Sequence, residues 1–262
     1  MYTIDIEKIH AAALTILQKV GVVFHSQAAM DIFQRHGFKT DGNYVFIGSD
    51  AVQTALDSAP SKFVLHARNP EKSIALGTGQ VAITPGYGAP HIMTPSEEKR
   101  NATLKDYHRF CRLIHTSEVV NVSGFLIVDP EGIPRDTYHR DMLCSTMTLC
   151  DQPLMGSPLS KTAMQDAVQM ARILFGFPFD EAHPMKTVLI SNINSLAPLQ
   201  FSEEMAEAMI VSSRNNQAVI IASAGIMGAT SPILPAGHIA VQNACFLAGL
   251  VLTQLVNPGA PV

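Results

Sequence analysis

Charge is what this sequence has least of. Only 15% of its 262 residues are Asp, Glu, Lys or Arg, against about a quarter in an average soluble domain. None occurs after Arg214. Eighteen basic and 22 acidic residues leave a formal net charge of -4, so no field of one sign exists to draw in a polyphosphate backbone, and no nucleic acid partner is expected. The four cysteines, Cys111, Cys144, Cys150 and Cys245, make neither a CxxC motif nor a dense framework. With no signal peptide at the N-terminus they read as reduced thiols, and the expected location is cytoplasmic. No G-x-G-x-x-G joins a strand to a helix, no G-x-S-x-G elbow surrounds Ser157 or Ser223, and no H-x-x-x-H pair occurs among the ten histidines. A dinucleotide cradle, a serine nucleophile and a metal site are therefore not expected.

What is present is apolar: 47% of the residues are hydrophobic, enough to bury a substantial core. The run from Ala236 to Val256 has the length and composition of a membrane span. His238, Gln242, Asn243 and Gln254 interrupt it, and no Lys or Arg anchors either end, so a helix buried inside an α/β protein is the better reading and no membrane partner is expected. The twelve methionines, among them Met142, Met147, Met164 and Met170, stand mostly at helical core positions, where they fill gaps.

Spacing predicts helices from Ile4 to Val20, from Ser26 to His36 and from Ser49 to Ser58, with strands at 44–47 and 63–65. This α+β region is expected to occupy residues 1–68. Residues 69–262 then alternate short apolar stretches with helices opening near Thr103, Asp136, Ser160, Ser202 and Ala236. Expected strands are Gly79–Met93, Val119–Val128, 154–155, 187–190 and 218–222. Such alternation implies βαβ units and a parallel sheet. The expected fold is α/β of the (β/α)8 TIM-barrel type, cut short after about five βα units, since the chain runs out at Asn257–Val262 as a loop entering another strand.

In a barrel of this kind the chemistry lies on loops after the strand ends, here 87–91, 129–135, 156–159, 191–199 and 223–235. Those loops carry few ionised groups. Asp129, Glu131, Arg135 and Asp136 are the exceptions, and Asp136 reads equally well as a helix-starting acid. This scarcity disfavours paired-carboxylate hydrolases and lysine Schiff-base aldolases. Tyr87, between two glycines, suits packing on a cationic ligand, with support of its loop an equal alternative.

The stretches Val188–Ser202 (VLISNINSLAPLQFS), Ser223–Gly237 (SAGIMGATSPILPAG) and Asn257–Pro261 (NPGAP) resemble the trimethylamine methyltransferase family. That family includes enzymes that demethylate quaternary amines such as glycine betaine. The resemblance runs from the first helix, through Ala59–Phe63, to Val262. It implies a corrinoid-dependent methyltransferase of one-carbon metabolism, as in methanogenesis. Such an enzyme presents a methylated amine to the Co(I) of a cobalamin carried by a separate corrinoid protein, with no cofactor bound directly. It also favours a homo-oligomer. On this reading Tyr87 and Phe125 contact the cation, while Ser191, Asn192 and Asn194 orient the rest of the substrate. Ser223, Met227 and Ser231 complete the wall, and the start of the last helix near Ser231 receives a substrate carboxylate. Trimethylamine members carry pyrrolysine at a strand end beyond Val262. The alternative is a non-catalytic fragment or subunit that binds a small cation or a partner chain.

Overall fold

The computed structural model describes residues 5–94, 96, 98–179 and 185–262; Ile4, the expected first residue of the first helix, lies outside them. Two compact units emerge. One joins Met1–Pro60 to Asn192–Val262, and the other is Ser61–Ser191.

The first unit is organised by helix capping and one long apolar helix. Asp5 and Ser26 accept the first-turn amides of α1 (Ile6–Lys19) and α2 (Gln27–Arg35), and Ser202 does the same for α7 (Glu203–Arg214). The third helix, α3 (Ser49–Ser58), is capped at Gly48 with no side-chain bond, so Ser49 is its first residue and not its cap. Four short strands form one sheet in the order β10-β1-β3-β2, from β1 (Val22–Phe24), β2 (Lys39–Asp41), β3 (Tyr44–Phe46) and β10 (Gln200–Phe201). Of these only β3 is expected from periodicity. β1 runs parallel to β10 with Val23 opposite Gln200, which stacks Phe24 on Phe201 at 5.0 Å.

The helix α8 (Pro235–Val256) is long and apolar enough to cross a membrane by length and composition. Its apolarity is used inside the unit, where it packs on α1, α2, α3, α7 and β11 (Ala218–Ser223). The polar residues that interrupt it have partners here. Gln254 donates to the Ala260 carbonyl at 2.9 Å and accepts from the Gly259 amide at 2.8 Å, and Asn243 meets His10 of α1 at 3.3 Å. A buried amide satisfied in this way is a packing feature of a protein interior.

In the second unit β4 (Phe63–Leu65) pairs antiparallel with β5 (Ile74–Leu76), and β6 (His91–Met93) with β7 (Lys99–Asn101). Thr103 and Asp106 close a capping box on α4 (Leu104–Thr116). The helices α5 (Tyr138–Leu149) and α6 (Lys161–Phe175) follow, the latter opened by Ser160 and ended by Gly176 in the left-handed region. β8 (Leu154–Met155) runs parallel to the start of β9 (Leu189–Ser195).

Two expected strands are corrected. Val119–Val128 is buried over much of its length but forms no strand, because Gly124 adopts φ 73° and its Cβ position is blocked by Pro85. Its backbone bonds go elsewhere: the Ser123 amide donates to the Pro153 carbonyl and the Val122 amide to the Ile83 carbonyl, while the Asn121 side chain accepts from the Ile83 amide. In Gly79–Met93, regular strand begins only at His91. The fold is thus mixed α/β with parallel and antiparallel pairings, and no closed barrel forms among the described residues.

Candidate functional site

Tyr87, Phe125 and Ser191 belong to the second unit. The loop at Tyr87 is stitched to the segment that follows Phe125. The Gly88 amide donates to the Leu126 carbonyl at 2.6 Å, Ala89 bridges Val128 in parallel, and the Asp129 amide donates to the Ala89 carbonyl at 2.9 Å. This is a strand-like pairing too short to form a ladder, and it brings the 87–89 loop beside Asp129.

Three tyrosines converge there. Tyr87 is 44% exposed, yet partial burial pushes its phenol up to about 12. Tyr107 is fully buried; its hydroxyl donates to the Phe125 carbonyl at 2.5 Å and contacts Thr146 at 2.8 Å. Burial raises its phenol well above the usual range, with smaller contributions from Cys111, Tyr138 and Tyr87. Tyr138 is buried at the start of α5 and donates to Asp129 Oδ1 at 2.5 Å. Burial first, then that bond, raises its phenol, and the neighbouring Tyr87 adds to the effect. All three therefore remain protonated donors at neutral pH. The Arg135 guanidinium lies over the Tyr138 ring, 5.5 Å from its centre.

Phe125 contributes differently from Tyr87. Its ring is fully buried, and it is its carbonyl that engages Tyr107. Ser191 is also fully buried, with its hydroxyl directed to Met164 Sδ at 3.5 Å. Strand alternation puts Ser191, Ile193 and Ser195 on the buried face of β9 and Asn192 and Asn194 on the other. The two asparagines do meet, through a long 3.5 Å contact from Asn192 Nδ2 to Asn194 Oδ1.

In the first unit the hydroxyls of Ser195 and Ser223 flank the Cys245 thiol, whose pKa burial raises. Met227 is 52% exposed on the turn before α8, bridged to Ser231 and closed by a 2.9 Å bond from the Gly228 amide to the Ser231 carbonyl. Ser231 is held by His238 Nδ1 at 2.7 Å, and His238 Nε2 meets the Gln242 amide nitrogen at 2.7 Å. With Gln242 donating to Nε2, the ring proton sits on Nδ1 and is given to Ser231 Oγ. No side chain caps α8, whose first residue is Pro235.

Among the ionised exceptions, Glu131 accepts from Asn101 at 2.8 Å. Asp136 stands before the helix, which begins at Tyr138 with Thr137 at its cap, so the first-turn acid is Asp141. Sequence reasoning missed Tyr107 and Tyr138. The signal available was three tyrosines in a chain with only five, two of them on helices flanking the Asp129 loop. Among the described residues no group of three His, Cys, Asp or Glu side chains is placed to hold a metal ion.

A family model for trimethylamine methyltransferase matches residues 3–262. Glycine betaine methyltransferase of Desulfitobacterium hafniense is 40% identical over 98% of this chain and 53% of its own length. Proline betaine:corrinoid methyltransferase of Eubacterium limosum is 31% identical over 99% of this chain and 54% of its own. Trimethylamine methyltransferase MttB of D. hafniense is 27% identical over 98% and 52%. The chain thus spans about half the length of the curated relatives it matches. Among solved structures, the hydroxylamine complex of MtmB superposes with a TM-score of 0.50 at 13% identity, covering 86% of this chain and 46% of that one.

Proposed function

Because the chain belongs to the trimethylamine methyltransferase family, we propose that it binds a quaternary methylamine and takes part in transferring one methyl group to a corrinoid. The observation that carries the reading is the 40% identical relative, aligned over nearly the whole chain, whose name specifies glycine betaine. The proline betaine relative, like glycine betaine itself, points to a trimethyl- or dimethylammonium group next to a carboxylate. The strand–helix alternation and the parallel β8–β9 pairing, with the likeness to the MtmB complex, support a (β/α)8 barrel as the setting.

The chemistry asks little of ionised side chains. A quaternary nitrogen carries its own leaving group: the C–N bond breaks with its electron pair staying on nitrogen, a neutral tertiary amine departs, and the methyl passes to the cobalt. The corrinoid supplies the methyl acceptor, and a partner protein brings it. In this reading the residues of this chain hold the amine. An aromatic ring at the tip of a glycine loop, with the protonated phenols of Tyr107 and Tyr138 near it, suits holding and desolvating a small cation, so catalysis is by positioning and differential binding. Packing the ammonium on the Tyr87 ring is worth about 0.5–2 kcal/mol, depending on how far water is excluded.

The test is methylation of a Co(I) corrinoid protein across a panel of glycine betaine, proline betaine, carnitine and trimethylamine. Transfer from at least one betaine is expected, with Tyr87→Leu raising KM about 2- to 30-fold, the equivalent of that cation–π energy. Saturable binding of a betaine without transfer by the chain overturns the enzymatic reading in favour of a binding subunit.

A further inference from the structure

Asp129 is the one carboxylate in the tyrosine cluster, and its environment has a direction to it. Oδ1 accepts the 2.5 Å bond from Tyr138, while Oδ2 makes no hydrogen bond among the described residues. The residue is half-buried, and its backbone is fixed to the Tyr87 loop by the Asp129–Ala89 and Gly88–Leu126 bonds. Arg135, the nearby cation, faces the ring of Tyr138 and forms no ion pair with Asp129 among the described residues. A carboxylate held by one neutral donor, with its second oxygen unspent and its backbone bonded to the loop that carries Tyr87, matches the chemistry of a cation that cannot itself donate a hydrogen bond. A quaternary ammonium is such a cation: it offers only diffuse positive charge, which a carboxylate and an aromatic face both answer.

We propose that Asp129, presented by Tyr138, is the counter-ion for the quaternary nitrogen packed on Tyr87, and so is a specificity-determining residue of the site. This rests on the function proposed above. Tyr138 is a positioning residue: buried and protonated, it fixes which oxygen of Asp129 is left for the ligand. The charge adds to the preference for a cation over a neutral molecule of the same shape that the Tyr87 face supplies.

Choline and 3,3-dimethyl-1-butanol differ in carrying N⁺ or C at the branch point, which isolates charge from shape. Calorimetric titration of the chain with each is expected to give a preference for choline of about tenfold or more, as an incompletely screened charge pair provides. Asp129→Asn is expected to lose about fivefold or more of that preference, keeping the part that the Tyr87 face supplies, and Asp129→Glu to restore most of it. Tyr138→Phe keeps the charge but frees its orientation, and is expected to lose about two- to fivefold of it. Should Asp129→Asn fail to fold by circular dichroism, Tyr138→Phe and Asp129→Glu carry the comparison. Full choline preference in Asp129→Asn, or in Tyr138→Phe when the former does not fold, overturns the counter-ion assignment while leaving the proposed function standing. A wild-type chain that binds neither choline nor glycine betaine overturns the proposed function, and the assignment with it.

Discussion

Replacing Gly156 by alanine tests the side of β9 on which Ser191 acts. Gly156 has no positive φ, so alanine fits its backbone and restricts the unfolded chain, a gain of about 0.4–1 kcal/mol. The obstacle is space. An added Cβ would stand 2.4 Å from Ser191 Oγ, 3.0 Å from Met164 Cε and 3.2 Å from Met164 Sδ. The thioether can give way, whereas the serine hydroxyl is anchored on a paired strand in a fully buried position. Overpacking of this kind costs about 1–3 kcal/mol, which leaves Gly156→Ala destabilised by roughly 1–2 kcal/mol. Ser191→Ala alone removes a long O–H···S contact and should cost about 0.5 kcal/mol. The double variant removes the clashing oxygen, so it should be more stable than Gly156→Ala, with a coupling of about 1 kcal/mol or more. Urea unfolding of the four proteins at constant m, followed by circular dichroism, measures this. Effects that add within about 0.3–0.5 kcal/mol would refute the placement of Ser191 Oγ between Gly156 and Met164.

Acid should act through Asp106. The Arg100 guanidinium, bonded to both its oxygens at 2.7 and 2.9 Å, holds its carboxyl well below the usual carboxylate range, helped by Thr103. Its stabilising contribution is therefore complete above about pH 4, the unfolded value, and is lost as pH falls below that towards the folded one. Urea midpoints measured against pH should fall less steeply in acid for Arg100→Gln than for the wild type; equal slopes would refute the pairing. Gln254→Leu makes α8 more apolar yet should destabilise the protein by about 1–3 kcal/mol, because the buried Ala260 carbonyl loses its partner, whereas the exposed Gly259 amide keeps Ser58 Oγ. A higher urea midpoint in that variant would count against α8 as the core helix of its unit.

Helices were the legible part of this sequence, for a local reason. Ser26, Thr103, Ser160 and Ser202 stand where the chain must satisfy free amides, and each caps the helix expected to open there. The polar residues in the 236–256 run identified a buried helix because an apolar stretch tolerates an amide only where the fold supplies its partners. The family was equally legible, from stretches now matched by the family model.

Tertiary structure alone decided the rest. β1 and β10 are a few residues each and exist only because Val23 meets Gln200 across most of the chain's length, a pairing that no periodicity encodes. The first sixty residues likewise fold into one unit with Asn192–Val262. The apolar run 119–128 had the composition of a strand, but Gly124 and the Asn121 side chain send its backbone bonds elsewhere. Around Tyr87, sequence supplied a ring on a glycine loop and an unexplained aspartate. That Tyr138 holds Asp129, on a segment bonded to that loop, depends on two short backbone bonds and a buried hydroxyl, contacts made between segments that the chain brings together only when it folds.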